Sequence, residues 1–192
     1  KIYKANERGT ANYGWLKANY SFSFSNYYNP EKLSFGALRV LNDDSIDAGM
    51  GFGTHPHENM EIITIPLEGS LKHRDSMGNK WIPIETGEVQ VMSAGSGVQH
   101  SEMNNSLTDP INLFQIWIIP NKLQVEPRYD QKKFEASERK NKLQVLVSSI
   151  DEITNGSLKI HQDAQISRID LNENSNFRYK LKSENHGVYA VS

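Results

Sequence analysis

The stretch Gly87-Glu88-Val89-Gln90-Val91-Met92-Ser93-Ala94-Gly95-Ser96-Gly97-Val98-Gln99-His100-Ser101-Glu102 decides how this chain is read. Residues 89–94 form a short run rich in β-branched and apolar side chains, expected to be a strand. Gly95 and Gly97 follow, residues that allow positive φ and close backbone approach. Then come His100 and Glu102, two side chains able to bind a metal, separated by one residue. On a strand, positions i and i+2 share a face and lie roughly 6.6 Å apart along the chain, whereas a helix would need i and i+3 or i+4.

The same rhythm extends outward. Residues 20–25 alternate aromatic and small, the period of a half-buried strand, and 37–41, 61–67 and 81–84 continue the theme. Residues 112–119 are more continuously apolar, as expected of a strand buried on both faces. Turn signals at Asn29-Pro30, Glu68-Gly69, Met77-Gly78-Asn79, Thr86-Gly87 and Asp109-Pro110 separate these runs. Short strands at this spacing predict an all-β sandwich or barrel. After Pro120 the chain turns polar, with only Leu123, Val125, Tyr129 and Phe134 as anchors and no helical stripe. The alternation resumes at 143–147, 164–171, 177–181 and 188–191. The expected organisation is a barrel over residues 1–120, a connecting segment over 121–142, and part of a second, incomplete β unit over 143–192.

Composition narrows the function. With 21 basic against 23 acidic side chains, the chain lacks the basic footprint of direct nucleic-acid binding. It has no cysteine, which excludes disulfides, thiol nucleophiles and zinc fingers. No apolar stretch approaches the roughly 20 residues that span a bilayer, and residues 1–6 are too polar for a signal peptide. A cytoplasmic protein without membrane contact is expected.

Six histidines occur, and three fall in compact clusters. Gly53-Thr54-His55-Pro56-His57 carries one i, i+2 pair, and the stretch quoted first carries the other. Two such pairs on neighbouring strands can converge on one ion. Imidazole with a carboxylate suits a divalent first-row metal such as iron, manganese, cobalt, nickel, copper or zinc. The set is too nitrogen-rich for calcium, and closed tetrahedral zinc is the structural competitor. The solitary His73, His161 and His186 read as hydrogen-bonded core or surface groups. The glycines at 49, 51 and 53, and those at 95 and 97, permit positive φ and close backbone approach just before each pair.

The run from Gly49 through His55 and His57 to Glu61 and Gly69 resembles the first conserved block of cupins, with its last gap one residue longer. Residues 87–104 resemble the second block, with Ser93 in place of the usual proline and two extra residues before His100. The same departures mark the pirin subgroup. Arg8-Gly9, Gly14-Trp15, Ser21-Phe22-Ser23-Phe24, Phe35-Gly36-Ala37-Leu38-Arg39-Val40, Gly51-Phe52-Gly53-Thr54-His55-Pro56-His57, His100-Ser101-Glu102 and Gln115-Ile116-Trp117 also resemble that subgroup.

The resemblance implies a two-domain cupin, a double-stranded β-helix or jelly-roll barrel followed by a second cupin-like unit. It implies one metal, iron first, on His55, His57, His100 and Glu102, with Glu61 in a structural or outer position. It further implies a dioxygenase that opens the heterocycle of a flavonol such as quercetin with dioxygen, Glu102 acting as catalytic base. Phe52, Met50, Met92, Ile63 and Trp117 are candidates for a pocket wall or for core. The alternative it implies is a non-enzymatic, iron-dependent, redox-sensing regulator that acts through a protein partner.

Overall fold

The computed structural model describes residues 2–152, 154–181 and 186–191. The alternation in sequence becomes strand pairing over most of it. In chain order the strands are β1 (Gly9–Asn12), β2 (Leu16–Tyr20), β3 (Leu38–Ile46), β4 (Gly51–His57), β5 (Glu61–Glu68), β6 (Ser70–Asp75) and β7 (Ile82–Glu85). They continue as β8 (Glu88–Ser93), β9 (Val98–Asn104), β10 (Ile111–Ile118), β11 (Arg128–Lys133), β12 (Gln144–Ser149), β13 (Leu158–Ile160) and β14 (Ile166–Arg168). The fold is all-β, and among the described residues helix is limited to two short 3-10 turns at Ala5–Glu7 and Ala136–Arg139. Among the described residues no helix is long and apolar enough to cross a membrane.

Two sheets build the barrel. One runs β1-β2-β3-β10-β5-β8-β11 and the other β4-β9-β6-β7. Leu16, Ala18, Tyr20, Ile46, Leu71, Ile84, Ile111 and Leu113 interlock between them, drawn from alternate positions of strands that turn polar residues outward. A third sheet, β13-β12-β14, sets Leu146, Val147, Leu158 and Ile160 against Ile63, Ile65, Val89, Val91, Ile116 and Ile118. Strands β5, β8 and β10 are thereby covered on both faces, which accounts for their near-continuous apolar sequence.

Several expected elements shift. Residues 20–25 do not extend a strand: β2 ends at Tyr20, and Phe24 bridges back to Tyr27. Ser25 takes φ 51°, and Ser23 Oγ donates to the Asn29 carbonyl at 2.9 Å to hold the turn. Phe24 instead packs at 5.3 Å from the rings of both Tyr20 and Trp117. Residues 121–142 carry β11, an edge strand joined to β8 through its backbone. Its side chains are mostly half-buried or exposed, so no apolar period announces it. Residues 164–171 yield only β14 and an isolated Lys140–Asp170 bridge. Residues 177–181 and 188–191 pair with nothing in the described sheets.

Candidate metal centre

Strands β4 and β9 are antiparallel neighbours, with His55 opposite His100 and Phe52 opposite Glu102. Their register shifts between Phe52 and His55, an irregularity of the kind that re-aims side chains beside a site. Close pairing requires Gly51, because a Cβ there would overlap the Glu102 carbonyl oxygen. Gly95 and Gly97, at φ 49° and 134°, make the turn into β9.

His55, His57 and His100 each offer a ring nitrogen, and the three atoms lie within 4.8 Å of one another. His73, His100 and Glu102 form a second set within the same limit. His100 belongs to both. The structure thus brings His55, His57 and His100 together, and sets Glu102 with His100 and His73.

Acceptor-only partners place a hydrogen on two of these ring nitrogens. His55 Nδ1 lies 2.8 Å from the Gly53 carbonyl oxygen, which can only accept, so Nδ1 carries the hydrogen and Nε2 is bare. His73 Nε2 donates to Asp75 Oδ2 at 3.0 Å, leaving its Nδ1 as an acceptor. The single ring hydrogen of neutral His100 can serve either His73 Nδ1 at 3.5 Å or His55 Nε2 at 2.9 Å, according to its tautomer. His57 Nε2 is buried with no partner.

Burial, with His55 and His73 beside it, pushes His100 down to about 3. Burial, His100 and His55 push His57 down to about 4. Both rings are therefore neutral at physiological pH. Two nitrogens about 2.1 Å from one ion at a right angle would sit about 3 Å apart, so the observed spacing fits a metal cradle.

Around the cluster, other residues hold these groups in place. Gln115 Nε2 donates to Glu102 Oε2 at 3.0 Å, and Thr64 Oγ1 donates to Oε1 at 3.3 Å. Burial tends to raise the Asp75 carboxyl, but the Gly78 and Met77 amides and the His73 ring outweigh it and hold it below its ordinary value. The ring of His73 stacks on Tyr129 at 4.9 Å. His73, which the sequence leaves as a solitary histidine, is thus a member of the site. Its signal was Asp75, two residues on, the same i, i+2 spacing that marks the other pairs.

Glu61 lies apart. It accepts from Ser93 Oγ at 2.7 Å and interacts with His161 and Arg128, on the face of β5 opposite Ile62 and Thr64. Burial raises its carboxyl above the ordinary value. Of the expected wall residues, Phe52 and Trp117 lie beside the cluster, their rings 6.5 Å from His55 and 4.9 Å from His57. Met92 packs with Ile62, Ala94 and Val98 below Trp117. Ile63 faces the third sheet, and Met50 is largely exposed.

The pirin family model matches residues 3–118, and the model of the quercetinase C-terminal cupin domain matches residues 145–192. Quercetin 2,3-dioxygenase of Escherichia coli K12 is 50% identical over 183 residues, covering 95% of this chain and 77% of that protein. A pirin-like protein of Caulobacter vibrioides is 40% identical over 179 residues, 93% of this chain and 76% of that one. The crystal structure of the bacterial pirin YhhW of Escherichia coli, in complex with nickel(II), matches with a TM-score of 0.80 and 49% identity over 86% of this chain and 69% of that chain. With a family model across more than half its length and half its residues shared with such a relative, the chain belongs to the pirin family.

Proposed function

We propose that this pirin is a metal-dependent dioxygenase that opens the heterocyclic ring of a flavonol such as quercetin, with iron as the first-choice metal on His55, His57, His100 and Glu102. The observation that carries the reading is the convergence of imidazole nitrogens, with His55 and His100 Nε2 2.9 Å apart and His57 Nε2 unpartnered. The E. coli relatives named quercetin 2,3-dioxygenase and nickel-bound pirin support it. A divalent first-row ion held there would supply Lewis acidity and open positions for the adjacent hydroxyl and carbonyl oxygens of the flavonol.

The protein's own groups do the rest. Glu102, 3% exposed, is the base that takes the flavonol hydroxyl proton. Thr64 and Gln115 steady its two oxygens. The Asp75–His73 pair fixes the His100 ring and makes it a better donor. Trp117 and Phe52 wall the site and keep water from its inner side.

The test follows quercetin loss and dioxygen uptake for metal-loaded protein beside His57→Ala, with metal content measured by elemental analysis. Turnover well above that of free metal, lost with His57→Ala, is expected. A parent no faster than free metal, or a metal-free His57→Ala as fast as the parent, would overturn the reading.

A further inference from the structure

Beside the histidine cluster the barrel holds a cavity of about 280 Å³. Phe52 lines it and also faces His55, so cavity and cluster share a wall. Tyr13 and Ser25 stand exposed at its rim, their hydroxyls 3.5 Å apart. Its walls are aromatic: Trp15 meets Phe52 edge-on at 5.3 Å, and Tyr20 meets Phe24 at the same distance. At its floor are Asn42 and Asp44, from alternate inward positions of β3, only 2% and 5% exposed.

Oδ1 of Asn42 and Oδ1 of Asp44 are both buried without a hydrogen-bond partner. Buried acceptors are nearly always satisfied, and leaving one unmade costs about 1–3 kcal/mol. Two of them, side by side among aromatic rings, point to a ligand that brings donors on a flat apolar body. A dry cavity of roughly 150 Å³ already admits benzene, so this one holds a single substituted ring. We propose that the cavity binds one hydroxylated aromatic ring, whose phenolic hydroxyls donate to Asp44 and Asn42. The inference rests on the flavonol reading above only for the identity of the molecule that carries the ring. An aromatic ammonium is the rival occupant.

Metal-loaded protein under dinitrogen, where no turnover occurs, separates binding from reaction. Calorimetric titration compares quercetin with a flavonol that lacks hydroxyls on its phenyl ring, and catechol with phenethylamine. Quercetin should bind about tenfold more tightly than the unhydroxylated flavonol, as expected for one hydrogen bond to a buried acceptor. Asp44→Leu, similar in volume, should abolish that preference with metal content unchanged. Asp44→Asn, which keeps one acceptor oxygen, should retain part of it and guards against a misfolded leucine variant. Equal affinities in the parent, a preference that survives Asp44→Leu, or phenethylamine binding more tightly than catechol would each overturn the proposal. Admitting dioxygen then separates the two readings: an Asp44-dependent preference without consumption of quercetin sinks the dioxygenase and leaves this site standing. Consumption without any preference does the reverse.

Discussion

His100 stands where two sets of groups overlap, one ring nitrogen turned to His55 and the other to His73. Holding a metal and orienting a ligand should therefore separate by substitution. His73→Phe keeps a ring against Tyr129 but cannot accept from His100, and should weaken divalent-metal affinity about 10- to 100-fold in chelator competition. Glu61→Gln should leave that affinity unchanged while lowering the thermal midpoint, because Glu61 serves Ser93 and His161 instead. Asp44 offers a pH signature. Burial first, then Glu102 and Asp43, raises its carboxyl from 3.8 to about 7. Between those values the folded chain keeps a proton that the unfolded chain has released, so stability falls as pH rises through the window. By pH 8 the loss reaches at most about 4 kcal/mol. Asp44→Asn should flatten it, so urea unfolding at pH 5 and pH 8 should differ less in the variant than in the parent. At this scale the histidine pairs were legible, because i, i+2 spacing is written in the chain. The choice of Glu102 over Glu61 needed the family resemblance. For His73 the chain shows only Asp75 at i+2, since its tie to the site is the His100 ring, which arrives from 27 residues away.

The pairing of β4 with β9 sets the site's geometry, and Gly51 is where it is tightest. Gly51→Ala would press a methyl group into the Glu102 carbonyl and should cost about 1–3 kcal/mol as an overpacking change. Metal affinity should fall with it, because the displaced strand carries His55 and His57. Gly53→Ala is the control: a Cβ there meets nothing within 4 Å, and both stability and metal content should stay near those of the parent. Thermal unfolding alongside elemental analysis distinguishes the two. Both glycines precede the ligands and looked alike in sequence, since neither the close approach at 51 nor the open space at 53 depends on local residues. The same limit explains the error at residues 20–25. Aromatic-small alternation predicts a strand, but after one further bond to β3, Ser21 N–H to the Leu41 carbonyl at 3.1 Å, the backbone turns away and Phe24 is drawn into the barrel against Tyr20 and Trp117.

Across the whole molecule, the seven-stranded sheet is covered on both faces over β5, β8 and β10, one face toward the histidine cluster and the other under β12, β13 and β14. The strongly apolar strands β5, β8 and β10 were legible for that reason. The segment between the two units was not, because β11 joins by backbone hydrogen bonds and carries polar side chains. Short elements past residue 160 were overread, since alternation alone supplies no partner strand. The layered arrangement predicts that stability and metal binding can be uncoupled. Leu158, 3% exposed, packs from β13 onto the outer face, among Val89, Val91 and Val147. Leu158→Ala should cost about 2–4 kcal/mol through lost burial and the cavity left behind, seen as a lower denaturant midpoint. Metal affinity per folded molecule should not change, because the histidines lie beyond the sheet, on its inner side. A loss of affinity equal to that of His73→Phe would instead mean that the third sheet positions the ligands through β5 and β8, and that the two faces act as one unit.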